Sequence, residues 1–291
     1  MHKRVLEELG FSVPVLGMWR INTLTRRQLD QLIRSAVDHN ITSFDHADIY
    51  GDYSCEEFFG SWMADNRHLR EDMKLISKCG INLLSEKYPN RQVKHYDTSK
   101  KHIIGSVDAS LQKLRTDYLD LLLIHRHDPL MQSDEVAEAF DGLLRQGKVK
   151  SFGVSNFSPT QFDLLQQACD MPLVTNQIEV SLVNSLSMFD GTLDHLMFNG
   201  CQPMAWSPLG GQDRIRDVVA DSFYQEMANK YGVTIGDLFL AWLMQHPAAI
   251  IPVIGTMNPE RVATASRMAA IKLERADWFA LLEKARGFRV P

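Results

Sequence analysis

Three observations predict an α/β protein closed as a (β/α)8 TIM barrel: strand-like and helix-like segments alternate throughout, one run is too apolar to have a wet face, and polar or aromatic residues stand at the ends of the strands. The apolar run is 119–124, Leu-Asp-Leu-Leu-Leu-Ile, which suits a parallel strand covered on both faces. Eight strand-then-helix units follow one another in 291 residues with no linker or composition break. One domain spanning 1–291 is therefore expected, and the length fits the barrel. A doubly wound sheet, the rival architecture, calls for a GxGxxG turn after the first strand. Here that position reads Gly17, Met18, Trp19, Arg20.

Strands are expected at 13–17, 42–45, 73–78, 119–124, 149–154, 173–179, 203–206 and 250–254. The first helix begins at Thr25 and carries Leu29, Leu32, Ile33, Ala36 and Val37 at helical spacing. Phe58, Phe59 and Trp62 mark a second helix, over 55–63. Further helices are expected at 99–114, 133–146 (closed by Gly147), 159–168 and 187–199, the last with Gly200 as its C-terminal cap. Two more, 222–231 and 234–245, precede the last strand, and 259–268 and 275–286 follow it. The segment 81–97, with Pro89, Asn90 and several charges, reads as an extended loop of the kind that often serves as a lid or edge. It and 211–221 are expected to shape the substrate pocket.

Composition, 45% hydrophobic and 23% charged, is that of a soluble globular protein. A net charge of -5 gives no electrostatic case for nucleic acid or an anionic membrane. Cys55, Cys79, Cys169 and Cys201 form no CxxC pair, so reduced thiols in a cytoplasmic protein are expected. No signal peptide or eighteen-residue apolar run is present, and a monomer or weak homo-oligomer is expected.

Active sites of such barrels lie at the C-terminal strand ends. Those ends carry Trp19, Asp45 with Tyr50, Lys78, His125, Ser155 with Asn156, Gln177, Trp206 with Ser207, and Gly255 with Thr256. Singly, each has a plain explanation: Asp45 a turn cap, Tyr50 a packed ring, Lys78 a surface charge, His125 a core histidine. Their shared rim argues for one site. A nearby ammonium favours a phenolate, so Lys78 can activate Tyr50, and Asp45 can keep Lys78 charged and oriented. A neutral His125 can donate to a substrate oxygen. The set forms a general acid aimed at a carbonyl oxygen. Carbonyl reduction also needs a hydride, which only a cofactor supplies.

The other half of the rim suits such a cofactor. Asn156 and Gln177 can bond a carboxamide and Trp206 can stack on a planar ring. Ser207, Leu209 and Gly210, with Gly255 and Thr256, offer backbone amides to a pyrophosphate. Arg261, one turn into the next helix, can fork onto a ribose phosphate. Against this, Ser155 and Asn156 could cap the helix after Pro159, and Arg261 could be a solvated charge.

These residues resemble the aldo-keto reductase family over essentially the whole chain. Phe-Asp-His-Ala-Asp-Ile-Tyr-Gly at 44–51, Ile-Ser-Lys-Cys-Gly at 76–80 and Leu-Leu-Leu-Ile-His at 121–125 resemble its catalytic segments. Gly-Val-Ser-Asn-Phe, Asn-Gln-Ile-Glu and Trp-Ser-Pro-Leu-Gly-Gly resemble its nicotinamide and pyrophosphate segments. The resemblance implies a tetrad of Asp45, Tyr50, Lys78 and His125, with Tyr50 as proton donor. It implies that Ser155, Asn156 and Gln177 bind the carboxamide, that Trp206 stacks on the nicotinamide, and that Met18, Trp19 and Asp45 border the cofactor. The cofactor implied is NADPH, with NADH possible, because Val253, Met257, Thr264 and Ala265 replace residues that often hold the adenosine phosphate and leave Arg261 for it. The substrate implied is a small-molecule carbonyl. His125-Arg126-His127 departs from the common His-Trp-Pro, leaving His127 at the substrate mouth or in a loop.

Three other readings compete. His125-x-His127 has metal-ligand spacing, but amides and a tryptophan stand where further ligands are needed, so no metal is expected. Lys78 could form a Schiff base, which an adjacent Asp45 disfavours by stabilising the ammonium. A cofactor-binding regulatory protein of the same fold with little turnover is the remaining alternative.

Overall fold

The computed structural model describes residues 4–211, 216, 218 and 220–290. Its centre is a closed barrel of eight parallel strands: β1 Val15–Gly17, β2 Ser43–Asp45, β3 Lys74–Cys79, β4 Leu121–Ile124, β5 Phe152–Ser155, β6 Leu173–Glu179, β7 Met204–Trp206 and β8 Ile251–Ile254. Each strand neighbours the next in sequence, and β8 closes on β1 through Val15 opposite Val253. The barrel expected from the sequence is therefore the observed architecture.

The helices of the outer layer are α1 Arg26–Asp38, α2 Cys55–Asp65, α3 Lys100–Leu114, α4 Ser133–Arg145, α5 Pro159–Ala168, α6 Thr192–Phe198, α7 Ser222–Tyr231, α8 Ile235–Met244, α9 Pro259–Ala265 and α10 Arg275–Arg286. Local chemistry starts them cleanly. Thr25 and Ser158 each form a capping box with a glutamine three residues on, Gln28 and Gln161. Ser158, not Ser155 or Asn156, thus caps α5 and leaves those two for other work.

Two expected helices are shorter than the periodicity suggested. The 187–199 segment divides into a 3-10 turn at Leu186–Met188 and helix α6, because Asp190 accepts from the Thr192 amide and Gly191 takes a left-handed φ of 85°. The 259–268 helix ends at Ala265 and continues as the 3-10 turn Met268–Ala270. The expected loop 81–97 contains a short antiparallel pair, Ile81–Asn82 with His95–Tyr96, so it is an arm with its own base. The segment 211–221 lies largely outside the described residues.

The barrel interior is filled by Val15, Ile76, Leu121, Leu123, Val174, Met204, Ile251 and Val253. Leu6 and Phe11 belong to the same cluster, and the Leu6 amide donates to Gln202 at 3.0 Å, tying the N-terminal segment to the strand-β7 side. This filling determines what faces the mouth. Side chains alternate along a strand, so residues two beyond an inward one also point inward. Ile76 therefore leads to Lys78, Leu123 to His125, Met204 to Trp206 and Val253 to Gly255. No helix among the described residues is long and apolar enough to cross a membrane.

Candidate active site

At the C-terminal mouth, Lys78 is fully buried at the end of β3 and donates three hydrogen bonds: to Asp45 Oδ2 at 2.7 Å, to the His46 carbonyl at 2.8 Å and to the Tyr50 hydroxyl at 3.0 Å. An ammonium has three donors, and all are used. Burial alone opposes its charge, but Asp45 and Tyr50 outweigh that and raise the Lys78 pKa. Asp45 is itself only 1% exposed, and its other oxygen accepts from Gln177 Nε2 at 2.9 Å across the barrel. The carboxylate is thus fixed at both oxygens, and the ion pair is the buried, fully hydrogen-bonded kind that is costly to break.

Tyr50 is held by the sharp turn after β2. Gly51 and Asp52 both take left-handed φ, 57° and 54°, and a Cβ on Gly51 would lie 2.5 Å from Cys55 Sγ. Only glycine fits there without moving α2. Burial raises the Tyr50 pKa, with Lys78 opposing. This corrects the sequence expectation of a net lowering: in the closed site desolvation exceeds the ammonium's pull. Tyr50 is therefore a neutral phenol that can donate a proton, with Lys78 limiting the cost of releasing it.

The His125 ring stands edge-on to Tyr50 at 5.9 Å between centroids. Its pKa falls well below the usual value, first through burial and then through Lys78, Arg126 and Lys94. His125 Nδ1 is buried without a hydrogen-bond partner among the described residues. A neutral imidazole has one N–H to give. His127 turns elsewhere, with its ring against Phe157 at 5.3 Å, so the two histidines do not converge.

Beside this cluster runs a polar row. Ser155 Oγ donates to the Gln177 carbonyl at 2.8 Å and accepts from Asn156 Nδ2 at 2.7 Å. Asn156, at a φ of 60°, accepts from Trp206 Nε1 at 2.8 Å and so fixes the indole. Gln177 reaches the mouth because the β5–β6 pairing slips by one residue between Phe152 and Val154. Its NH2 group gives one hydrogen to Asp45 at 2.9 Å and turns the other to Met204 Sδ at 3.9 Å, so only its oxygen remains for a ligand, against the expectation of donor and acceptor together.

The other predicted contacts are more scattered. Trp19 is 49% exposed, and a Cβ on Gly255 would lie 2.8 Å from its Nε1. Arg20 donates to the Gly255 carbonyl at 2.7 Å. Met18 is different: the residue is fully buried in the core and its amide donates to the Asp45 carbonyl at 2.9 Å, so it is not brought to the surface of the mouth as expected. Ser207 has a φ of 48°, and Gly210 a φ of 89° with Val183 Cγ2 2.0 Å from where a Cβ would sit. Leu209 packs between the two outer clusters. Thr256 accepts from the Asn258 amide, and Asn258 caps α9, whose exposed Arg261 lies one turn in. Sequence reasoning passed over Arg126, which lies 5.7 Å from the Trp206 ring, and Lys94 on the arm, although adjacency to His125 pointed to the former.

The family model described as the aldo/keto reductase family matches residues 15–286. The chain is 42% identical to the oxidoreductase YdhF of Escherichia coli, covering 97% of this chain and 96% of that one. It is 40% identical to a 6-dehydroglucose reductase of Agrobacterium fabrum, covering 98% and 97%. An aldo-keto reductase from Klebsiella pneumoniae, solved in complex with NADPH, superposes with a TM-score of 0.80 at 28% identity, over 97% of this chain and 92% of that one.

Proposed function

Because the chain belongs to the aldo/keto reductase family of oxidoreductases, we propose that it reduces an aldehyde or ketone to an alcohol with Tyr50 as the proton donor. The observation that carries this is the buried relay in which Asp45, Lys78 and the Tyr50 hydroxyl follow one another at 2.7 and 3.0 Å. A phenol with ordinary pKa about 10 is a poor acid at neutral pH. An ammonium in hydrogen-bond contact stabilises the phenolate left behind, and Asp45 holds that ammonium in place. His125, neutral at physiological pH, donates to the carbonyl oxygen and orients it toward Tyr50.

The reducing equivalent is a hydride from a nicotinamide cofactor, NADPH by preference and NADH as the alternative. The chain's own surfaces fit that group. Ser155, Asn156 and the side-chain oxygen of Gln177 are the polar groups offered to a carboxamide, and Trp206 is held by Asn156 as a flat wall. Gly255 keeps backbone open where a side chain would collide with Trp19, whereas Gly210 is buried and its amide already donates to the Ser207 carbonyl at 2.7 Å. Asn258 caps the helix that presents Arg261, whose guanidinium suits a 2′-phosphate. The solved relative bound to NADPH supports the same choice. The relative acting on 6-dehydroglucose supports a small carbonyl compound as substrate.

A spectrophotometric screen tests this: purified protein should oxidise NADPH, and NADH more weakly, in the presence of one or more members of a broad aldehyde and ketone panel. Tight cofactor binding with no carbonyl reduced above background would favour the regulatory alternative.

A further inference from the structure

Asp48, two residues before Tyr50, faces away from the mouth into a second concavity. A cleft of about 420 Å³ opens between α3, the turn after β2 and the 81–97 arm, with Asp48, Tyr53, Arg91, Lys101 and Lys113 among its walls. Room exists there because α3 turns Gly105, Ser106 and Ala109 toward it. Asp48 is only 9% exposed, and its Oδ1 has no hydrogen-bond partner among the described residues. Buried carboxyl oxygens ordinarily have one. Burial and then Glu56 push this carboxyl well above its usual range, against the pull of Lys113 and Arg91.

The walls carry more positive than negative charge. Arg91 is fixed, stacked 3.8 Å from the Tyr88 ring centroid and donating to the Tyr53 hydroxyl at 2.6 Å. Lys101 and Lys113 form no ion pair among the described residues. Asp97, the other acid on the wall, already accepts from the Ser99 amide at 3.0 Å. We propose that this cleft is a second binding site, for a small metabolite that carries a phosphate or carboxylate together with a hydroxyl. The oxyanion meets Lys113 and Arg91, which stand 5.8 and 5.5 Å from the same Tyr53 ring centroid, and the hydroxyl donates to Asp48. The floor is continuous with the active-site turn, since the Asp48 amide donates to the Lys78 carbonyl at 3.1 Å, so occupancy bears on Tyr50.

Titration calorimetry on the full chain saturated with NADP+ tests the site without relying on turnover, so its outcome is separate from that of the reductase reading. Glycerol 3-phosphate and glycerate are the phosphate and carboxylate probes, with inorganic phosphate and glycerol as half-ligand controls. At least one full probe should bind saturably at one site per chain, at least tenfold more tightly than phosphate and with glycerol silent. Ala109→Phe, at an exposed helix position that tolerates bulk, should abolish the binding, and Asp48→Ala, which removes the acceptor, should erase the advantage over phosphate. Absence of saturable binding by both probes, equal affinity for phosphate, or binding that survives Ala109→Phe would overturn the site. The bound probe should also change kcat at least twofold in the wild type and not in Ala109→Phe, and an unchanged kcat would remove the coupling to Tyr50.

Discussion

Replacing Lys78 by Met retains most of the buried stem and deletes the charge that the proposed acid depends on. The ammonium lies 3.0 Å from the Tyr50 hydroxyl. At an effective dielectric near 20, a unit charge at that separation stabilises a phenolate by about 5.5 kcal/mol. That corresponds to roughly four units of tyrosine pKa. Only part of the proton has moved in the transition state, so a kcat loss on the order of 10³ is expected. The same change strands Asp45, which is 1% exposed, as an unpaired buried charge. Breaking such a pair costs about 3–5 kcal/mol. Lys78→Met/Asp45→Asn should therefore recover stability in urea unfolding while leaving turnover low. Single-turnover decay of NADPH absorbance measures the chemical step. A folded Lys78→Met enzyme working within threefold of wild type at pH 7 would refute the reasoning.

Three further outcomes are expected. Arg261→Ala removes a charge-assisted contact worth about 1.5–3 kcal/mol, so the NADPH Kd should rise at least tenfold and the NADH Kd hardly move; equal effects on both would take the phosphate role from Arg261. Gly255→Ala should push the half-exposed Trp19 aside rather than strain the barrel, raising the cofactor Kd by roughly fivefold, about 1 kcal/mol, with little change in Tm. His46 is buried with both ring nitrogens unpartnered among the described residues, and burial followed by Lys78 lowers its pKa to about 3. Because the unfolded chain then binds more protons, its stabilising contribution is complete above the unfolded histidine pKa and is lost as pH falls toward 3. The raised pKa values of Asp48 and Glu56 act in the opposite sense. The His46 effect is therefore read as a difference: His46→Leu should flatten urea-derived stability by about 1.4 kcal/mol per pH unit between pH 6 and 4 relative to wild type, and parallel profiles would remove it.

The barrel and the acid cluster were legible because the signals behind them are short in range. An apolar run ending in His125, and a strand ending in Lys78, place those side chains by alternation alone once Leu123 and Ile76 are known to point inward. What was not legible depends on pairing between distant segments. The slip that turns Gln177 to the mouth exists only when β5 and β6 meet, and the bond from Trp206 to Asn156 joins residues 50 apart. Desolvation of Tyr50 is likewise a property of the closed site, which is why its pKa moved against expectation. The 187–199 helix failed for a local reason, an aspartate-glycine stop at Asp190 and Gly191 inside an otherwise helical pattern.

The central claim is that Tyr50 delivers the proton, and Tyr50→Phe tests it with one hydroxyl removed from a turn whose backbone does not depend on it. Turnover of a carbonyl that the wild type reduces should fall by at least about 10³, while the NADPH dissociation constant, read by cofactor fluorescence, stays within a few-fold. Near-normal turnover in Tyr50→Phe would contradict the assignment.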